Sequence, residues 1–232
     1  MLFEKFEIGI ERIGETMKIS DEEANRGLIA KEEFLALLSG IKSGIALVKE
    51  VYDLHDRLTS EFIKNNPIAC GEAGSCGSCC RQLVVCTTLE MELIVEYLKS
   101  LAKPFRKKIV KNALMDALKF YFQNEKTITS SASPEIISEH LLWAHRGKRC
   151  IYLGKFNRCM IYPVRPIDCR IAKSAEKCFE GDSKKEHKTI RLYFDQVASN
   201  IIMDEEERIN GSREVIPLIS WPTNKKMPFF KK

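Results

Sequence analysis

From Phe34 the apolar residues Leu38, Ile41, Ile45, Val48 and Tyr52 recur at alternating steps of four and three, and Val51, Leu54, Leu58 and Phe62 continue the same face. That is the period of an amphipathic helix with one covered side. The pattern predicts helix over residues 20–64, opened by Ser20-Asp21-Glu22-Glu23, where the serine and the residue three further on cap each other's backbone. A break is expected near Gly27, and Pro67 ends the helix. The stripe suits either a coiled-coil seam or packing against the chain's own later helices, and Gly40, Gly44 and the polar interruptions favour the second.

A second helix is predicted after Thr87, which stands in capping-box spacing with Glu90 and leads Leu89, Leu93, Ile94, Tyr97 and Leu101 inward. A third starts at Pro104, a tolerated first-turn proline, with Phe105, Ile109, Leu114, Leu118 and Tyr121 on its face. The polar run 127–132 reads as a loop, Ser133-Pro134-Glu135 opens a fourth helix, and Gly147 stops it. The texture then becomes β-prone: Cys150-Ile151-Tyr152-Leu153 and Cys159-Met160-Ile161-Tyr162 flank a turn over 154–158, which predicts a short hairpin. Pro163 and Pro166 bend the chain away, and a last helix is expected over 186–203, with Ile190, Tyr193, Phe194, Val197 and Ile201 together. The tail from Gly211 reads as irregular, and Ile216, Leu218, Ile219 and Trp221 are expected to pack over the domain.

The fold class predicted is mainly α: a small helical domain with a short β-hairpin, organised around a cysteine-rich metal site. Three regions are expected: a helical segment over 1–66, a cysteine-cluster domain over 67–203 and an irregular tail over 204–232. With 232 residues, 44% hydrophobic and 30% charged, the chain can bury a core. Its net charge of +5 carries no dense basic stripe and no nucleic-acid fold motif, so a nucleic-acid partner is disfavoured. No stretch is long and apolar enough for a bilayer, and charges interrupt residues 1–19, so a cytoplasmic protein is expected. A protein partner, or self-association through the long helix, stays open.

Eight of the nine cysteines fall in two blocks: Cys70, Cys76, Cys79 and Cys80, then Cys150, Cys159, Cys169 and Cys178. Clustered thiolates in a reducing compartment are soft ligands that select zinc, copper(I) or an iron-sulfur cluster over calcium or magnesium. A disulfide framework would call for an oxidising compartment and a short secreted chain. The ninth, Cys86, lies in the apolar run Leu83-Val84-Val85-Cys86 and reads as a buried free thiol. Cys76-Gly77-Ser78-Cys79 has the form of a zinc-binding turn. Adjacent Cys79 and Cys80 point apart, which suits two nearby metals or two corners of a cluster. Arg165 and Arg170, flanking Cys169, and Arg81, beside Cys80, are placed to donate hydrogen bonds to thiolate sulfur.

The string Cys76-Gly77-Ser78-Cys79-Cys80-Arg81, with Cys70 before it, followed by Arg149-Cys150-Ile151-Tyr152-Leu153 and then Cys159-Met160-Ile161-Tyr162-Pro163-Val164-Arg165-Pro166-Ile167-Asp168-Cys169-Arg170, resembles the YkgJ-type CxxCxxCC cysteine-cluster proteins. The resemblance covers roughly residues 68–180 and implies a zinc- or iron-chelating domain whose cysteines fall on the eight named, with Cys86 outside. It departs at the start, where Gly71 to Ser75 separate Cys70 from Cys76 more widely than the family pattern does.

Three functions follow as expectations. The leading one is a metal-binding protein holding zinc or iron on the eight cysteines, an iron-sulfur cluster included, with no catalytic residue of its own. The second is an iron-sulfur-dependent oxidoreductase or methylase-like enzyme, because the flagellin lysine methylases carry a similar cysteine-rich motif. No glycine-rich nucleotide fingerprint or radical motif supports it, and His55, His140, His145 and His187 form no evident nucleophile-base pair and read as surface or helix histidines. The third is a zinc-stapled scaffold that binds a partner.

Overall fold

A computed structural model of the chain describes residues 34, 36, 42–65, 77, 79–128, 140–141, 144–145, 147–174, 189–213 and 215–219. These form a mainly helical protein with small antiparallel sheets. The helices are α1 (Ile45–Asn65), α2 (Thr88–Ser100), α3 (Lys103–Ile128), α4 (Ile167–Ile171) and α5 (Tyr193–Asn210), and the strands are β1 (Val85–Thr87), β2 (Lys173–Ser174), β3 (Thr189–Ile190) and β4 (Val215–Pro217).

Helix α1 buries Leu47, Val48, Val51, Tyr52, Leu54 and Leu58, the face that the spacing marks. It packs on α5 and α2, so the chain's own helices cover the stripe. The predicted helix is nevertheless interrupted: residues 42–44 are non-helical and Gly44 takes φ +62°, a left-handed conformation that glycine alone adopts at little cost. Glu205 of α5 accepts the Gly44 N–H. The expected break at Gly27 and the capping sequence at Ser20 lie outside the described residues.

Helix α2 begins as predicted. The Thr87 hydroxyl accepts the Glu90 N–H at 3.2 Å and Glu90 accepts the Thr87 N–H at 2.8 Å. Leu89, Leu93 and Ile94 are buried, and Leu98 and Met91 join them. Helix α3 buries Ile109, Ala113, Ala117 and Phe120, whereas Phe105 and Leu114 stand exposed, against expectation. Its buried side runs along Ile109, Ala113, Ala117 and Phe120, and Phe105 and Leu114 lie off that line. Helix α3 also continues to Ile128, into the start of the predicted loop.

The predicted strands over 150–153 and 159–162 are replaced by tight turns. Only Leu153 and Cys159 bridge, Gly154 N donates to Arg158 O at 2.8 Å, and Met160 N donates to Tyr152 O at 2.9 Å. A 3-10 turn follows at Tyr162–Val164. The sheets lie elsewhere. β1 pairs with β4 in the register Val85 to Pro217, Cys86 to Ile216 and Thr87 to Val215, so part of the tail expected to be irregular is a strand, and Leu218 and Ile219 are buried beyond it. β2 pairs with β3. Helix α5 starts at Tyr193 rather than 186, because Asp195 accepts the Leu192 N–H at 2.7 Å and so caps the helix there. It runs to a left-handed Gly211 at φ +74°.

Candidate metal centre

Cys79 and Cys80 open a 3-10 turn over Cys79–Arg81. Gly77 precedes it at φ +63°, and its carbonyl accepts the Cys80 N–H at 3.1 Å. A Cβ at Gly77 would stand 3.1 Å from the Asn157 Cβ and 3.4 Å from Leu153 Cδ2, so the glycine lets this turn sit directly on the 154–158 turn. The two cysteine blocks are then joined by backbone: Cys150 N donates to Cys80 O at 2.7 Å and Gly147 N donates to Arg81 O at 3.0 Å. Cys159 follows across the Leu153 bridge. Cys169 sits in α4, where Cys169 N donates to Pro166 O at 3.0 Å.

Cys79, Cys80, Cys150, Cys159 and Cys169 are free thiols that act on one another electrostatically. Cys79 is the acidic member, lowered to about 6, chiefly because the Cys80 thiol donates to it, with the Arg165 charge assisting against burial. Cys80 moves up for the complementary reason, reinforced by burial and by the charges of Cys79, Cys150 and Cys159. Burial pushes Cys150 up to about 12, although the Tyr152 N–H donates to it. Burial also raises Cys159, opposed by the Ile161 N–H and by Arg165 and Arg170. Cys169 is raised well above an ordinary thiol by burial and then by Cys150, Asp168 and Cys159. The arrangement holds one thiolate easily and resists a second, because like charges gather where water is scarce.

A family model for the CxxCxxCC domain, described as a proposed zinc- or iron-chelating domain, matches residues 69–193, more than half of the chain. The chain belongs to the CxxCxxCC family. No curated protein and no solved structure matches it. The CxxCxxCC match takes in both cysteine blocks and, with them, zinc or iron binding as the general function.

The donor chemistry fits such an ion: a divalent cation among thiols that repel one another as anions supplies the missing countercharge. Among the described residues, no three His, Cys, Asp or Glu side chains are already grouped to hold an ion. The described members are therefore brought together without being drawn into a finished ligand set. Cys70, Cys76 and Cys178 lie outside the described residues.

The three arginines are placed differently from one another. Arg165 stacks over Tyr162 at 4.1 Å, and its buried Nε has no hydrogen-bond partner among the described residues, a donor left over beside the thiols whose ionisation its charge favours. Arg170 is buried and gives Nε to Arg165 O at 3.0 Å and a terminal nitrogen to Pro163 O at 2.8 Å; it pairs with Asp56 and lies 4.0 Å over the Tyr52 ring. Its charge reaches Cys159, while its bond to Asp56 holds the turn before Cys169 to α1. Burial alone would raise Asp56, but the neighbouring His55 ring, the hydrogen bond from Arg170 and the charges of Arg170 and Arg165 hold it well below the usual carboxylate range. Arg81 is half-buried, with its carbonyl engaged by Gly147.

Two parts of the surroundings escaped the sequence reading. Glu90, at 1% exposure, is more than a cap: it accepts Tyr52 OH and Ile167 N, each at 2.7 Å, and so ties α1 to the start of the helix that carries Cys169. His55 and His145 stand on helical segments, as expected, but neither is at the surface. His55 is fully buried and bonds Asp195 at 2.8 Å, and Asp195 also accepts Lys173 Nζ at 2.7 Å. His145, 3% exposed, stacks edge-on against Phe120 and shares a small cavity with Cys150, Gln82 and Leu218. Burial and Lys148 lower it to about 4, which keeps the ring neutral. Neither burial has a local sequence signal, because each is produced by distant helices. Cys86 is 1% exposed and raised by burial, the inert free thiol its apolar run predicts.

Proposed function

We propose that this protein is a cytoplasmic metal-binding protein in which Cys70, Cys76, Cys79, Cys80, Cys150, Cys159, Cys169 and Cys178 hold zinc or iron without catalysis of their own. The observation that carries the proposal is that free thiols from separate segments lie near enough for their charges to act on one another, with the Cys150-to-Cys80 backbone hydrogen bond tying two of those segments together. Cys79 and Cys80 do not point apart as their adjacency suggests: the Cys80 thiol donates to Cys79, so the pair presents two neighbouring sulfurs to one ion or to adjacent corners of a polynuclear centre. A bound zinc or iron ion would supply positive charge to the thiols, while the backbone hydrogen bonds from Cys150 to Cys80 and from Gly147 to Arg81 already hold the first cysteine turn against the second. The chain's own part is to present the sulfurs, to expel water from around Cys169, and to keep Arg165 and Arg170 close enough to favour ionised sulfur.

Anaerobic purification without added metal tests this reading, with zinc, iron and acid-labile sulfide counted per chain and the visible spectrum recorded. Colourless protein with stoichiometric zinc supports the chelating module and removes the redox alternative. Brown protein with iron and matching sulfide makes the centre an iron-sulfur cluster and directs attention to redox or methyl-transfer chemistry. Metal-free protein that gains neither ion on titration refutes the proposal.

A further inference from the structure

The turn between Cys150 and Cys159 carries a residue that its backbone does not favour. Phe156 takes φ +57° and ψ +31°, inside the left-handed region, where a bulky side chain is strained. Its ring is 86% exposed, so packing within the chain does not offset that strain. The following Asn157, at φ +55°, belongs to a residue type that tolerates the conformation. Phenylalanine at the first of these positions is therefore unfavourable locally and contributes little to the core.

Charge around the ring is one-sided. From His140 to Ile167 the chain has no Asp or Glu, while Arg146, Lys148, Arg149, Lys155, Arg158 and Arg165 are all cationic. Lys148, Arg149, Lys155 and Arg158 are exposed, and none pairs with a carboxylate among the described residues. Arg149 donates across the neck of the turn to Gly154 O, which fixes its charge beside the tip. The overall net charge of +5 hides this concentration, which becomes visible once the fold shows which residues face solvent.

We propose that this tip is a binding surface for single-stranded nucleic acid, with a base stacked on Phe156 and phosphates drawn to Lys155, Arg158 and Arg149. A flat ring flanked by cations meets both chemistries that such a strand offers. An acidic peptide would use the cations and leave the ring idle. A membrane surface would gain little from one ring whose neighbours are Lys155, Asn157 and Gly154, since stable anchoring takes more apolar area.

The test is fluorescence anisotropy of the full chain, with its metal content recorded, against labelled 20-mers of oligo-uridylate and oligo-thymidylate at 50 and 200 mM salt. Wild-type protein should bind, weakening with salt at a log-log slope of about −2 for three cations. Phe156→Ala should weaken binding roughly 5- to 150-fold. Lys155→Ala with Arg158→Ala should reduce the slope by about 1.4. Phe156→Gly separates fold from function: it should match or exceed the wild-type melting temperature, because glycine suits this backbone, and still lose binding. No saturable binding, an unchanged Phe156→Ala, a lower melting temperature for Phe156→Gly, or binding to phosphatidylserine vesicles in place of the oligonucleotides would each overturn the proposal.

Discussion

Replacing Glu90 by glutamine asks whether the buried carboxyl group organises the helix that carries Cys169. One oxygen of Glu90 accepts Tyr52 OH and Ile167 N and the other accepts Thr87 N. A glutamine with its carbonyl in the first place keeps two partners and turns an NH2 toward the Thr87 N–H, leaving two donor groups facing each other without an acceptor. That costs about 1–3 kcal/mol, and Glu90→Leu, which orphans three donors, costs about 3–6 kcal/mol after the relief of removing a buried acid. The pH dependence has a definite sign. Burial raises the Glu90 pKa, with Asp168 adding to it, against the hydrogen bonds from Ile167, Tyr52 and Thr87. A carboxyl raised on folding contributes stability that is fully present below its unfolded value and is lost as pH rises through its folded value. The wild-type advantage over Glu90→Gln should therefore be greatest in acid and shrink toward neutrality. Urea denaturation of both proteins with metal in excess, at several pH values, measures it. An advantage that grows with pH would mean that the ionised form is the stabilising one, and would refute the burial argument.

Arg170→Met should cost about 1–3 kcal/mol, or several degrees of melting temperature, by leaving the partly exposed Asp56 and two carbonyls without their donor; an unchanged melting temperature would count against the tether. Metal binding should release protons, because Cys150, Cys159 and Cys169 are held protonated at neutral pH. Calorimetry in buffers of different ionisation enthalpy should find apparent affinity rising with pH, and pH-independent affinity would exclude these thiols as ligands. In metal-free protein, iodoacetamide should modify Cys79 first, with a midpoint near pH 6, and bound metal should protect it; early modification of Cys86 would contradict its burial. Truncation after Arg213 removes β4 with the buried Leu218 and Ile219 and should cost about 3–6 kcal/mol on the burial of two aliphatic side chains, read by denaturant titration.

What the sequence discloses is local. The helical stripe on α1, the Thr87–Glu90 capping box and the two cysteine blocks can each be read because the physics that makes them acts over a few residues. What it conceals is made by partners far away in the chain. β1 is an ordinary apolar run until residues 215–217 pair with it, and that pairing turns an irregular-looking tail into structure. Phe105 and Leu114 share a helical period with buried residues yet face solvent, because α3 buries its alanines instead. The candidate centre divides the same way. Cysteine spacing marks the candidate ligands, whereas the assignment of Arg170 to carbonyls and Asp56 requires knowing that α1 meets the turn.

These distant contacts bear on how a metal would act on the fold. The segment that carries Cys169 is fastened at both ends by carboxyl groups of other elements. Glu90 takes the Ile167 N–H before it, and Arg170 and Lys173 after it reach Asp56 on α1 and Asp195 on α5. His55 on α1 meets the same Asp195 carboxylate. Such groups gain less from one another than they lose in leaving water unless their geometry is held, so the helices and the ligand turn must form together. An ion joining Cys169 to Cys79, Cys80, Cys150 and Cys159 would fix one side of the turn while the carboxylates fix the other. Removing the ion should therefore loosen the cysteine loops and also the contacts of α1 with α5, which share the Asp195 carboxylate with Lys173.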